Sequence, residues 1–456
     1  MVTPAAALLC TVALSAQTAY QQLARDVFKQ LIEINTVDGA GDNTRAAEAM
    51  AARFRDAGFA AEDVQVLAPM PKKGNLVVRL RGTGPARPIL FLGHLDVVEA
   101  LPADWSFDPF VFREQDGFFY GRGTQDTKAN DAILVAAFLR MKRENIRPAR
   151  DLILALTSDE ESGPANGADW LVKNHRALID AEFCINTDGG GGLMKNGKPL
   201  HLGIQAAEKI FASFKLEVTN PGGHSSLPTR DNAIYRLSAG LVRLSKYEFP
   251  VHLFDVTRAS LERSANGYDA QTRDDMLHLL LSPPDPGAVA RLSAVPLFNA
   301  QMRTTCVATQ LSGGHAENAL PQRATATVNC RILPVERPDD VRRTIESVLA
   351  DPEIKITAMN EPIAPPYKPL DGRVVEAVTA TAAKYWPGVP VVPGMSTGAS
   401  DSIYLLRAGI PAYGVGGIFI EQDDVRAHGR DERTPVASFY RGADFLWDFM
   451  LALAAR

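Results

Sequence analysis

Little in this chain argues for a covalent framework, a membrane or a strongly charged partner. Four cysteines in 456 residues are too few for a disulfide scaffold, and they stand at no metal-like spacing. Charge of neither sign dominates: the formal net charge is −5 and the isoelectric point near 6.0. That leaves no basic footprint for nucleic acid or for an anionic membrane surface. No apolar run is long enough to span a bilayer. Internal repeats, low-complexity tracts and heptads are absent too. What remains is ordinary globular composition, 46% hydrophobic and 22% charged. At this length two domains are the expectation.

The N-terminus lacks charge altogether, and the first basic residue is Arg25. Ala5 to Ala16 reads as a short apolar segment with a small-residue cleavage region, Ala13-Leu14-Ser15-Ala16, although a basic start is missing. Residues 1–19 are therefore expected to be a signal peptide. The protein would then be periplasmic or secreted, or cytoplasmic if the segment stays uncleaved. Its removal leaves Cys184, Cys306 and Cys330, which read as buried small hydrophobes in a fold that does not depend on disulfides.

Against these absences stands Phe91-Leu92-Gly93-His94-Leu95-Asp96-Val97-Val98. An apolar run from Pro88 to Leu92, bounded by Gly82-Thr83-Gly84-Pro85, predicts a buried strand that ends in His-x-Asp. Strand side chains repeat every two residues, so His94 and Asp96 share a face. The carboxylate could accept the second ring N–H of a metal-ligating imidazole; two solvated polar groups at a strand end would look the same. Other apolar runs end similarly. Asp151–Thr157 runs into Ser158-Asp159-Glu160-Glu161, and Phe183–Asn186 into Thr187-Asp188. Chemistry in open α/β sheets collects outside the carboxyl ends of the strands, so these acids and His94 point to one site.

The rest of the chain supplies the frame. Helices are predicted from Leu23 to Ile34, from about Asn43 to Gly58 and from Thr127 to Arg143, with Asp126 at the start of the last. Strands alternate with helices through the first half, which reads as α/β. Near Ala206 the character changes. Phe211 to Val218 alternates like a half-buried strand, Asn232 to Leu244 is helical, and Phe249 to Ala300 reads as irregular. Thr304–Thr309 and Ala324–Leu333 are strands, followed by a helix at Asp339–Leu349 and a strand at Ile354–Met359. That order suits a four-stranded sheet with two helices, inserted into the first domain. The expected division is catalytic domain 20–206 and 362–456, interrupted by an inserted domain 207–361. The final helix spans Pro435 to Ala455.

His94-Leu95-Asp96, Asp126, Asp159-Glu160-Glu161, Asp188 and Ala427-His428, in that order, resemble the M20 family of co-catalytic zinc peptidases. The family includes carboxypeptidases, dipeptidases, desuccinylases and aminoacylases. The resemblance runs from about Leu23 to the end. It implies an α/β/α zinc-peptidase domain split by a ferredoxin-like α+β lid and dimerisation domain. It also implies two Zn2+ ions per chain, for which Co2+ or Mn2+ would substitute. Asp126 would bridge the pair, His94 and Asp188 would complete one ion, and Glu161 and His428 the other. Glu160 would be the general base and Asp96 would orient His94. Gly222-Gly223-His224-Ser225 resembles the lid loop whose histidine stabilises the oxyanion. Asn318 and Arg331 resemble lid residues that hold a free carboxylate, for which a planar guanidinium is suited. Gly416 falls in a cleft-loop motif. The implied activity is hydrolysis of a peptide or amide bond beside a free carboxylate, as a dipeptidase or carboxypeptidase. An N-acyl-amino-acid amidohydrolase is the alternative, and a non-catalytic binding protein on the same fold a remoter one. The substrate would be a peptide or N-acyl amino acid, with no nucleic acid or membrane span involved and a homodimer formed through the inserted domain.

Overall fold

The computed structural model describes residues 17–364 and 367–455. Most of the expected signal segment, residues 1–16, lies outside the described residues. Thr18 caps a helix, Ala19–Ile32, by accepting from the backbone N–H of Gln21.

Apolar runs bounded by glycine and proline form strands that assemble into one ten-stranded sheet. The strands lie in the order Val64–Leu67, Asn75–Leu80, Arg150–Thr157, Ala86–His94, Phe183–Asn186, Ala412–Val415, Lys198–Glu208, Gly191–Lys195 and Phe419–Glu421. Val391–Ser396 pairs Lys198–Glu208 as the tenth. Four adjacent strands, Arg150–Thr157 through Ala412–Val415, run parallel, so their carboxyl ends open along one edge. Register then places the chemistry. His94 is paired with Thr157 and Leu92 with Asn186, which brings Asp188 level with His94.

Helices cover both faces. On one, Lys128–Arg143 is buried along nearly its whole length and packs with Ala19–Ile32 and the C-terminal Val436–Ala454. On the other, Leu171, Ile179 and Leu405 form a smaller layer. The result is the α/β/α arrangement expected of parallel strands, which must be covered on both sides.

A second sheet is antiparallel, ordered Thr305–Gly313, Arg323–Ile332, Ile210–Thr219, Lys355–Ala358. Helices Ala233–Ser245 and Pro338–Leu349 bury Leu237, Leu244, Ile345 and Leu349 against it. Four strands with two helices on one face is the inserted architecture the sequence suggests.

Two expectations fail here. Cys306 and Cys330 are joined in a disulfide, and among the described residues Cys184 alone is a free thiol, buried. The two half-cystines are 24 residues apart in sequence but directly opposed across the Thr305–Gly313 and Arg323–Ile332 pairing. Closing a loop of that length contributes about 3–4 kcal/mol through the unfolded chain. The second failure is Phe249–Ala300, which is not irregular but carries four short helices, Asp255–Ser264, Ala270–Leu279, Pro286–Ser293 and Pro296–Met302. They close around their own core of Leu261, Met276, Leu279, Leu292 and Phe298. Asp269 and Asp285 cap two of them. The first of the four packs on the strand Val391–Ser396 of the large sheet.

Candidate metal centre

His94 ends its strand with its side chain almost wholly buried. Its Nε2 lies 3.0 Å from Asp126 Oδ1 and 3.7 Å from Asp188 Oδ1. The other oxygen of Asp126, Oδ2, lies 3.1 Å from His428 Nε2, which is 2.9 Å from Glu161 Oε1. One carboxylate thus faces two imidazoles with its two oxygens. Donor atoms of His94, Asp126 and Glu161 all fall within 4.8 Å of one another. The structure brings together all five residues expected to hold metal.

The loops that carry these groups are tied to each other. Asp126 precedes the helix Lys128–Arg143, and its backbone N–H donates to Glu432 Oε1 at 3.2 Å. The same buried carboxylate accepts from the backbone of Gly123 at 3.0 Å and Gln125 at 2.6 Å, and from Arg122 at 2.7 Å. In return Gln125 Oε1 accepts the backbone N–H groups of Arg426 and Ala427, at 2.7 and 2.9 Å. These fix the approach to His428, which takes a left-handed φ of 63°. Sequence reasoning passed over Glu432 and Gln125. Adjacency to His428 and Asp126 was the only available signal.

Asp96 departs from its expected role. His94 Nδ1 donates to the main-chain carbonyl of Asp96 at 3.1 Å, while the carboxylate stays at 3.7 Å. The carboxylate instead accepts the backbone N–H of Glu160 at 3.1 Å and of Glu161 at 2.9 Å. Asp96 therefore orients the imidazole by its backbone and the two glutamates by its side chain. Behind them Asp159, with φ 58°, pairs with the buried Lys73 and accepts the Ala165 N–H at 3.2 Å.

Electrostatics mark the cluster as short of positive charge. Burial raises the Glu160 carboxyl to about 10; His94 opposes the shift, while Asp188, Asp401 and Glu161 add to it. Glu161 is pushed up to about 7, chiefly by burial and then by Asp126. Burial works against charge on Asp126 as well, but hydrogen bonds from His428 and His94 win and hold it below the usual carboxylate range. His428 is raised to about 9 by its bond to Asp126. Among the described residues, the only cations paired with Asp126, Glu161 and Asp188 are these two imidazoles. Nitrogen and oxygen donors around an uncompensated, partly buried set of carboxylates suit divalent metal ions. A cation there would satisfy what no lysine or arginine does.

The lid residues lie apart. His224 and Asn318 occupy an exposed ribbon in which Gly223–His224 pairs Ala319–Leu320, and the Asn318 carbonyl accepts the Ser225 N–H at 3.0 Å. Arg331 sits on the small sheet with its guanidinium 4.8 Å from the Phe211 ring centre. Among the described residues, no hydrogen bond or ion pair joins these three to the metal cluster. Gly416 lines a cavity beside Asp188.

A doubly covered mixed sheet with this donor set at the carboxyl edge of its four central parallel strands defines a hydrolase with a candidate metal site. The chain belongs to peptidase family M20/M25/M40, whose sequence model matches residues 90–452. It is 28% identical over 357 residues to an N-fatty-acyl-amino acid synthase/hydrolase from Xenopus tropicalis, spanning 76% of this chain and 68% of that one. It is 25% identical over 453 residues to aminoacylase-1 from Sus scrofa, spanning 94% and 95%. An M20 family metallo-carboxypeptidase from Sulfolobus solfataricus shares the fold, with TM-score 0.69 and 19% identity over 94% of this chain and 99% of that one.

Proposed function

We propose that the chain is a two-metal amidohydrolase that releases an amino acid from an N-acyl amino acid whose acyl group is uncharged, the substrate's free carboxylate held by the lid. The observation that carries this reading is Asp126, whose two oxygens stand 3.0 and 3.1 Å from two separate imidazoles. Asp126 would be shared by two bound ions, one held with His94 and Asp188 and the other with Glu161 and His428. Zinc suits the mixed imidazole and carboxylate set. Divalent ions held there supply Lewis acidity toward the scissile carbonyl and lower the pKa of water.

The chain's own residues do the rest. Glu160 takes a proton from the attacking water and gives it to the leaving amine nitrogen. Asp96 fixes the backbone of Glu160 and Glu161, so the two side chains keep separate tasks. Arg331, unpaired among the described residues, offers a planar fork to the carboxylate. His224 stabilises the oxyanion. Its distance from the cluster in contacts is accounted for if it serves the site of a second subunit. That homodimer is supported by the strand Thr305–Gly313, an exposed sheet edge with Val307 61% and Leu311 65% exposed. Export is supported by the Cys306–Cys330 disulfide, a bond that persists in oxidising compartments.

The acyl-amino-acid version is favoured over the dipeptide version because aminoacylase-1, matched over nearly its whole length, and the N-fatty-acyl-amino acid synthase/hydrolase, matched over 68% of its length, carry those activities in their names. Comparing kcat/KM for N-acyl amino acids, their carboxyl amides and dipeptides tests it. The acyl amino acids should be turned over best, and amidation should cost roughly 10–100-fold, the scale of a hydrogen bond to a charged group. In Arg331→Lys the cost of amidation should largely vanish. Equal turnover of acid and amide would overturn the reading.

A further inference from the structure

Beside Asp188 the structure holds a cavity of about 370 Å³, within the usual size range for a small-molecule site. Its apolar wall comprises Leu193, Ile204, Met395, Ile418 and Ile420. Neither lysine nor arginine lines it; its titratable groups are Asp188 at the metal edge and His201, which burial holds toward the neutral form. An anionic group entering would lose hydration and face Asp188 with no lysine or arginine to pair with. The cavity therefore disfavours an anionic occupant and offers its apolar wall to an uncharged one.

One wall is the strand Val391–Ser396, and Gly394 is the opening in it. A Cβ built on Gly394 would meet nothing within 4 Å, and its φ lies outside the left-handed region. The glycine is thus not needed for the backbone. What it provides is room. The four-helix segment that the sequence left without a role braces this wall from behind. Helix Asp255–Ser264 packs on Val391–Ser396, and Arg263 donates to the Val391 carbonyl at 3.3 Å.

We propose that this cavity receives the acyl chain of the substrate, a straight and uncharged chain of medium length, and that Gly394 sets how long that chain can be. The inference rests on the amidohydrolase reading of the metal centre, with the substrate's carboxylate toward the lid and its acyl group in the cavity. The braced wall keeps the cavity from collapsing when empty, so chain length is read by a preformed surface.

Binding separates this inference from the reading beneath it. Calorimetry on the zinc-loaded Glu160→Gln protein would compare N-acetyl-alanine, N-hexanoyl-alanine and N-octanoyl-alanine. Kd should tighten at least about tenfold from acetyl to octanoyl, because each methylene leaves water. Gly394→Phe, added to that protein, should erase the gain, and Gly394→Ala should keep most of it. Leu193→Phe narrows the cavity from another wall and should also cut the octanoyl-to-acetyl ratio, so the test survives a misfolded Gly394→Phe. No binding at any length, a Kd independent of acyl length, or equal loss for acetyl and octanoyl in the variants would overturn the proposal. So would length dependence that follows the amino-acid side instead. Length-dependent binding through Gly394 in a wild type that hydrolyses none of these compounds would sustain the cavity and refute the N-acyl-amino-acid amidohydrolase reading.

Discussion

The carboxylate of Asp96 accepts the backbone N–H of Glu160 at 3.1 Å, and its second oxygen accepts that of Glu161 at 2.9 Å. A group expected to serve the imidazole thus fixes the directions of two adjacent glutamates. Asp96→Asn replaces one acceptor oxygen by an NH2 that faces another N–H. We expect kcat to fall about 10–100-fold, the usual cost of disturbing a residue behind a metal site. Metal content should change little. Loss of metal with unchanged turnover per bound ion would show that Asp96 acts through His94 alone.

Glu160 and Glu161 should separate cleanly. Glu160→Gln removes proton transfer and should lower kcat roughly 10²–10⁴-fold with metal retained. Glu161→Gln removes a donor that lies 2.9 Å from His428 Nε2 and should lower metal occupancy first. Kinetics paired with elemental analysis checks both, and the opposite pattern would reverse the roles.

The metal-free protein should lose stability as pH rises. Glu160 and Glu161 are raised in the fold from 4.5 to about 10 and about 7, so between those values the folded state keeps protons that the unfolded chain has released. Unfolding is then favoured increasingly with pH. His428, raised from 6.5 to about 9, adds stability that is complete below 6.5 and lost as pH climbs through 9. The signs agree. Melting temperature without metal should fall between about pH 5 and about pH 9, and the stabilisation on adding zinc should grow over the same span, because bound metal displaces those protons. A metal-free melting temperature that rises with pH would contradict the charge balance described for the cluster.

Much of this was legible from residue order alone. Val64–Leu67 and the helix ending at Arg143 lie where apolar period and flanking turns put them. His94, Glu161 and Asp188 stood out because each ends or follows a parallel strand, and Asp126 because it opens a helix, whereas His428, in a loop between elements, and the division of the five between two ions came only from the M20 resemblance. What could not be read depended on register and on backbone groups. Cys306 meets Cys330 only because two antiparallel strands bring positions 24 apart opposite each other. The side-chain role of Asp96 rests on two main-chain N–H groups, which carry no sequence signature. The helices of residues 255–302 were hidden by their shortness. Each offers one or two apolar positions to a small shared core, too few to show a helical period, with caps such as Asp269 and Asp285 that read equally well as turns. The cavity, too, owes its space to a missing side chain at Gly394.

The central claim is that Asp126 joins two ions rather than serving one. Titrating zinc into metal-free protein, with bound metal measured by elemental analysis and hydrolysis of an N-acyl amino acid followed in parallel, tests it most directly. The account predicts that activity reaches its plateau only when two ions are bound per chain, and that Asp126→Asn weakens the binding of both. Full activity with a single ion bound per chain would contradict it.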